Sequence, residues 1–252
     1  MTTALRMRRA LNQVTAGILV NAVYEMKNYP IVLLNTVLSP LSFLILIVFV
    51  SRGALIQDAI VGGLIMSMFS NGIALQGDLS HLKNDFKLQD MIVSSPASAA
   101  SYVAGMALSE VVYSSPALFV LALLALFFIH TNAISIVLII GVLLTMFLTS
   151  VALGFTLATF SSDIVQSFAF SRLISTLFST LPPVYYPITF IPLPYRYLAY
   201  LSPTTYAAQI AQNAIGGYYA STSAIMLDWA ILITITLMLI LVAWKKARWR
   251  ED

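Results

Sequence analysis

The chain has 252 residues, of which 60% are apolar and only 9% charged. So little charge cannot cover a soluble surface of that size, which excludes a water-soluble globular domain and points to a polytopic membrane protein. The net charge of +3 comes without an acidic or basic tract, so there is no footprint for nucleic acid. Cysteine is absent and His81 and His130 are the only histidines, which removes disulfides, thiol catalysis and any local zinc spacing.

The first predicted element is an interfacial helix over residues 1–30. Leu11, Val14 and Ile18 fall at helical spacing, with Arg8, Asn12, Thr15, Asn21 and Glu25 among the polar positions. The same polar residues break up anything like a signal-peptide core, and no cleaved signal is expected. Six stretches are then apolar enough to cross about 30 Å of hydrocarbon. They are 31–50, 59–77, 104–129, 133–160, 164–184 and 225–244. The expected fold is therefore an all-α integral membrane protein in one transmembrane domain.

Two segments interrupt this pattern. Residues 78–96, DLSHLKNDFKLQDMIVSSP, form a charged, amphipathic island between nearly uncharged stretches. Residues 185–220 form the second, part of a run with six prolines from Pro182 to Pro203 and aromatic rings throughout. Prolines at that density forbid one continuous helix, yet the segment is too apolar for an ordinary external loop. Short broken helices dipping back into the outer leaflet satisfy both facts, and an aromatic belt at headgroup depth is the plainer physical alternative.

Lys and Arg set the orientation. An inside N-terminus places Arg6, Arg8, Arg9, Lys27, Lys83, Lys87, Lys245, Lys246, Arg248 and Arg250 on the cytoplasmic side, and only Arg52 and Arg196 outside. Six spans then leave both termini in the cytoplasm of a multi-pass cell-membrane protein.

None of the five lysines follows a glycine, so the chain has no phosphate-binding loop. No serine-hydrolase elbow or metalloprotease pair occurs either, and no catalytic residue, metal site or resident cofactor is expected. Arg172 and Glu110 fall inside apolar runs, where a charge is costly, at least about 3 kcal/mol near the bilayer centre. Counted from Asp163, Arg172 lies about 14 Å along its helix. It either contacts an anionic cargo or has a structural partner such as Asp163. Glu110 counts back to the inner boundary, where it is solvated or pairs with a coupling-region lysine. Ser67, Asn71, Phe168, Arg172 and Phe178 would line a pathway if their helices meet across a dimer axis, and close packing by small and aromatic residues is the plainer reading.

Taken together, the N-terminal helix, six spans, the charged loop ending in Ser94, Ser95 and Pro96, and the proline-rich hairpin resemble the permease subunit of type-2 ABC exporters. The most specific part is PITFIPLPYRYLAYLSPTTYAAQIAQN at 187–213, similar to that family's outer hairpin, with Pro187, Pro192, Leu201 to Pro203 and Tyr206 as its gate positions. KLQDMIVSSPAS at 87–98 resembles the family's cytoplasmic loop. An Arg common in the family after the hairpin tyrosine is replaced here by Gln209, Gln212 and Asn213.

The resemblance implies a dimeric permease embedded in membrane lipid, joined to two ATP-binding subunits that carry Mg-ATP, and moving an amphipathic or lipid-linked cargo outward. It maps the coupling helix onto the loop after span two. There Leu82, Phe86 and Val93 would supply an apolar face, with Lys83, Asp85, Lys87 and Asp90 as polar contacts. A rival class is a stand-alone secondary carrier or channel, which usually needs several ionisable groups in its spans.

Overall fold

The computed structural model describes residues 3–84, 99–161, 163–180, 182–216 and 221–246. Among them the regular structure is helical, with no strand. α1 (Thr3–Ile18) passes through one wide π turn, Leu19–Val23, into α2 (Tyr24–Asn28). There follow α3 (Pro30–Val50), α4 (Ile56–Asn84), α5 (Ala99–Phe128), α6 (Ala133–Phe160), α7 (Ile164–Thr180), α8 (Arg196–Ala199), α9 (Pro203–Ala214) and α10 (Thr222–Lys246).

Local chemistry sets several of these boundaries. Pro30 opens α3, where its missing N–H costs nothing. Arg52 and Gly53, at φ 53° and 86°, turn the chain back into α4. The Asn132 side chain caps α6 by accepting from the Ser135 N–H at 2.8 Å. Ser202 caps α9 by accepting from the Thr204 N–H, and Pro203 takes its first position.

α4 is the axis of the molecule. Of its apolar window Ile56–Ser80, 83% is buried within the chain, against 11% to 33% for the other four long apolar helices. α3, α5, α6, α7 and α9 all pack against it. Small residues make this possible, because without an aqueous hydrophobic force helices in lipid associate by close approach. The Gly154 face of α6 lies against the Gly72 carbonyl, and Gly63 meets the methyl groups of Leu121 on α5.

Five helices, α3, α4, α5, α6 and α10, are long and apolar enough to cross a membrane. α7 is shorter than the predicted 164–184. It has 17 residues and stops before Pro182 and Pro183, since a residue preceding proline avoids the helical region. α4 runs past the predicted end of its span to Asn84, because no Gly or Pro follows Gly77 to stop it where hydropathy falls. α1 packs on α5 through Val14 and Gly17 against Gly105, while Leu11 is 59% exposed.

Candidate transport pathway and coupling surface

The charged segment expected to couple to a soluble partner begins as the last turns of α4, which contain Leu82 and Lys83. Asp85, Phe86, Lys87, Asp90 and Val93 lie outside the described residues. Beside this end of α4 the Glu110 side chain on α5 is buried and faces Asp78 on α4. Tyr113 and Glu25 of α2 lie next to it. Among the described residues the charged groups facing Glu110 are therefore carboxyls rather than the lysine expected from sequence. Glu25, Asp78 and Glu110 come from three distant segments, and no local spacing announces their meeting.

α7 is held on α4 by one glutamine and two aromatic rings. The fully buried Gln76 Nε2 donates to the Ser167 carbonyl at 2.9 Å and to Ser161 Oγ at 3.3 Å. Its Oε1 accepts from Ser171 Oγ at 2.9 Å, and its backbone carbonyl accepts from Ser167 Oγ at 3.1 Å. One side chain thus fixes the α6–α7 corner and the first two turns of α7. Phe168 enters the notch left by Gly77, where a Cβ would stand 2.8 Å from the ring. At the far end Phe178 meets Phe69 at 5.5 Å between ring centres, and the Phe178 carbonyl accepts from Thr204 Oγ1. Gln76 was not among the predicted site residues, since a single amide in an apolar run gives no pattern.

The five predicted pathway residues do not converge within one chain. Ser67 is buried, and its Oγ has no hydrogen-bond partner among the described residues. Asn71 turns back along its own helix to donate to the Ser67 carbonyl. Phe168 and Phe178 clamp α7 to α4 as described. Arg172 is exposed. Among the described residues it makes no hydrogen bond or ion pair, and the Asp163 carboxylate suggested as its partner instead accepts from the Gln166 N–H at 2.8 Å. Registration against α4 also places Arg172 nearer the charged end of α4 than the sequence estimate. Its neighbour Ser171 bonds Gln76, which lies about 6 Å from the Ser80 end of the apolar window Ile56–Ser80.

The proline-rich segment has two buried limbs and an exposed tip. The inbound limb continues the course of α7 and lies so close to α4 that a Cβ at Gly62 would stand 2.4 Å from the Val184 carbonyl oxygen. Pro187 is buried there, Pro192 stands exposed at the tip, and Pro203 is buried at the start of α9. α9 is the return limb and packs against α4, α6 and α10. Gln212 ties the two limbs by donating to the Val184 and Tyr186 carbonyls at 3.4 and 3.2 Å. Tyr206 is buried, donates to the Tyr200 carbonyl at 2.8 Å and packs against that ring. Burial first, then Asp228 and Tyr200, hold its hydroxyl above the usual phenol range.

Arg196 folds the tip back on itself, donating to the Ile191 carbonyl from Nε at 3.3 Å and from Nη2 at 3.1 Å, and to the Thr189 carbonyl at 3.3 Å. Arg196→Ala is expected to cost about 1 kcal/mol, because charged donors to exposed carbonyls compete with water. Amide exchange should speed up at residues 189–191 and stay unchanged in α9. Uniform exchange across the hairpin would show that Arg196 does not organise the tip.

A bundle of long apolar helices packed around one central helix, with a charged extension at one end and a broken aromatic hairpin at the other, defines a multi-pass membrane transport component. The sequence model of the ABC-2 type transporter membrane domain matches residues 15–215. The chain belongs to this family of ABC transporter permeases. No curated protein matches it.

Proposed function

We propose that the chain is the transmembrane subunit of an ATP-driven exporter that moves an amphipathic or lipid-linked cargo out of the cytoplasm by alternating access. In this reading two permease copies, or the chain and a paralogue, join two ATP-binding subunits that hold Mg-ATP. α7 together with the buried limb after it completes a sixth crossing, both termini face the cytoplasm, and residues 185–220 re-enter the outer leaflet as a gate.

The observation that carries the reading is the continuity of α4. This helix is buried along most of its apolar length, touches five other helices, and runs without a break into the charged segment. A displacement applied by a soluble partner near Leu82 and Lys83 would therefore act directly on the centre of the bundle. ATP hydrolysis belongs to the partner, consistent with membership of a family whose domain is the transmembrane component.

Native mass spectrometry of the protein extracted in mild detergent tests this. We expect two copies of an ATP-binding subunit to accompany the permease. The combined reversals Lys83→Glu, Asp85→Lys, Lys87→Glu and Asp90→Lys should weaken that association at least tenfold while leaving the helical fold intact. A partnerless chain that moves solute without ATP would favour the secondary carrier instead.

A further inference from the structure

We propose that Arg172 binds the net-anionic head group, phosphate or carboxylate, of an amphiphile entering from the inner leaflet. This rests on the permease reading and adds the chemical class of its cargo. Arg172 is exposed on α7, while its helix is clamped to α4 on both sides of it, at Gln76 and at Phe69. The guanidinium is thus held at a defined height rather than on a loose segment.

Among the described residues of the apolar windows no exposed carboxylate stands ready to neutralise it: Asp58, Glu110 and Asp228 are buried within the chain, and Asp78 faces Glu110. A second copy of the chain would bring the same set and no spare carboxylate from its spans. A bound anionic molecule would supply the missing counter-charge, since a guanidinium beside apolar surface gains from a partner.

Phe168, which sets one ring edge in the Gly77 notch and still leaves 47% of its surface exposed, and Thr176 stand at i−4 and i+4 from Arg172 on one line of α7. A planar guanidinium also suits bidentate contact with phosphate or carboxylate, which an ammonium does not reproduce. The site height, near the inner end of the apolar window, is where a head group leaving the cytoplasmic leaflet would first meet the protein.

The full-length permease, purified without its ATP-binding partner, can be titrated in non-ionic detergent with dodecyl phosphate, zwitterionic dodecylphosphocholine and dodecyltrimethylammonium. Retention of dodecyl phosphate is expected to exceed that of the other two at least tenfold. Arg172→Gln should abolish the preference and Arg172→Lys should keep part of it. A second measurement needs no variant: dodecyl phosphate should slow phenylglyoxal modification of Arg172, read by peptide mass spectrometry, at least fivefold. Displacement of the probe by inorganic phosphate would support the anion site with a free anion as ligand, and resistance to it would support the amphiphile. Equal retention of the three amphiphiles, an unchanged Arg172→Gln variant, or modification that dodecyl phosphate does not slow would overturn the proposal. Because no ATP-binding subunit is present, failure here leaves the permease reading standing, and loss of that reading is detected only by the association experiment.

Discussion

Gly62→Ala is expected to cost about 3 kcal/mol or more and to lower the yield of folded protein sharply. The added Cβ would lie 2.4 Å from the Val184 carbonyl oxygen and 2.9 Å from Tyr185 Cα. Both are backbone atoms of the hairpin's inbound limb, so no rotamer change relieves the overlap. Relief requires moving the limb off α4, which also strains the Gln212 bonds that join it to α9. Overpacking typically costs about 1–3 kcal/mol where side chains can yield, and here they cannot.

Gly63→Ala provides the contrast one residue away. Its Cβ would meet Leu121 methyl groups at 3.2 and 3.3 Å, the far end of a flexible side chain, and under 1.5 kcal/mol is expected. Gly216→Ala isolates the backbone term, since nothing lies within 4 Å but φ is 78°, and about 1 kcal/mol is expected. Reversible unfolding in mixed micelles would rank the three. Equal losses at Gly62 and Gly63 would show that the limb does not press on α4.

Much of the helix layout was legible because polar punctuation is local. α6 starts after the Asn132 cap and ends before Ser161, as residues 133–160 read from sequence. Where punctuation and hydropathy disagree, the backbone follows the former: α4 ignores the fall in hydropathy at Asp78, and α7 stops before Pro182 although apolar residues continue. The packing partner of α1 was not legible, because an apolar helix face can meet lipid or α5 and the periodicity of Leu11, Val14 and Ile18 does not say which.

The candidate site was legible only in part. Arg172 stands out in any apolar run, but whether it has a partner depends on where Asp163 and α4 place their side chains. Gln76 and the Asp78–Glu110 pair are products of tertiary contact across 85 to 95 residues for the former and between separate helices for the latter. No window of sequence contains them.

Gln76→Leu should therefore separate folding from transport. Leucine nearly fills the volume, so the loss is three side-chain hydrogen bonds to Ser161, Ser167 and Ser171. The gap is softened because Ser161 Oγ keeps its bond to the Leu157 carbonyl, and a helix serine can turn to a carbonyl four residues back. Interhelical bonds in membranes average about 0.6 kcal/mol each, so about 2 kcal/mol in total is expected, and the bundle should still form. α7, however, would be held to α4 and the hairpin by the Ser167 Oγ bond to the residue 76 carbonyl, its ring contacts and the Thr204 bond, and its lower half would follow α4 less closely. We expect the ATP-binding subunit to remain bound while transport in reconstituted vesicles falls at least tenfold. Ser171→Ala removes one of the three bonds and should cost under 1 kcal/mol with transport largely kept. If Gln76→Leu transported as well as the parent chain, α7 would have to be driven by something other than α4. If it failed to fold at all, the glutamine would be a structural keystone, and its role in motion would have to be read from Ser171→Ala alone.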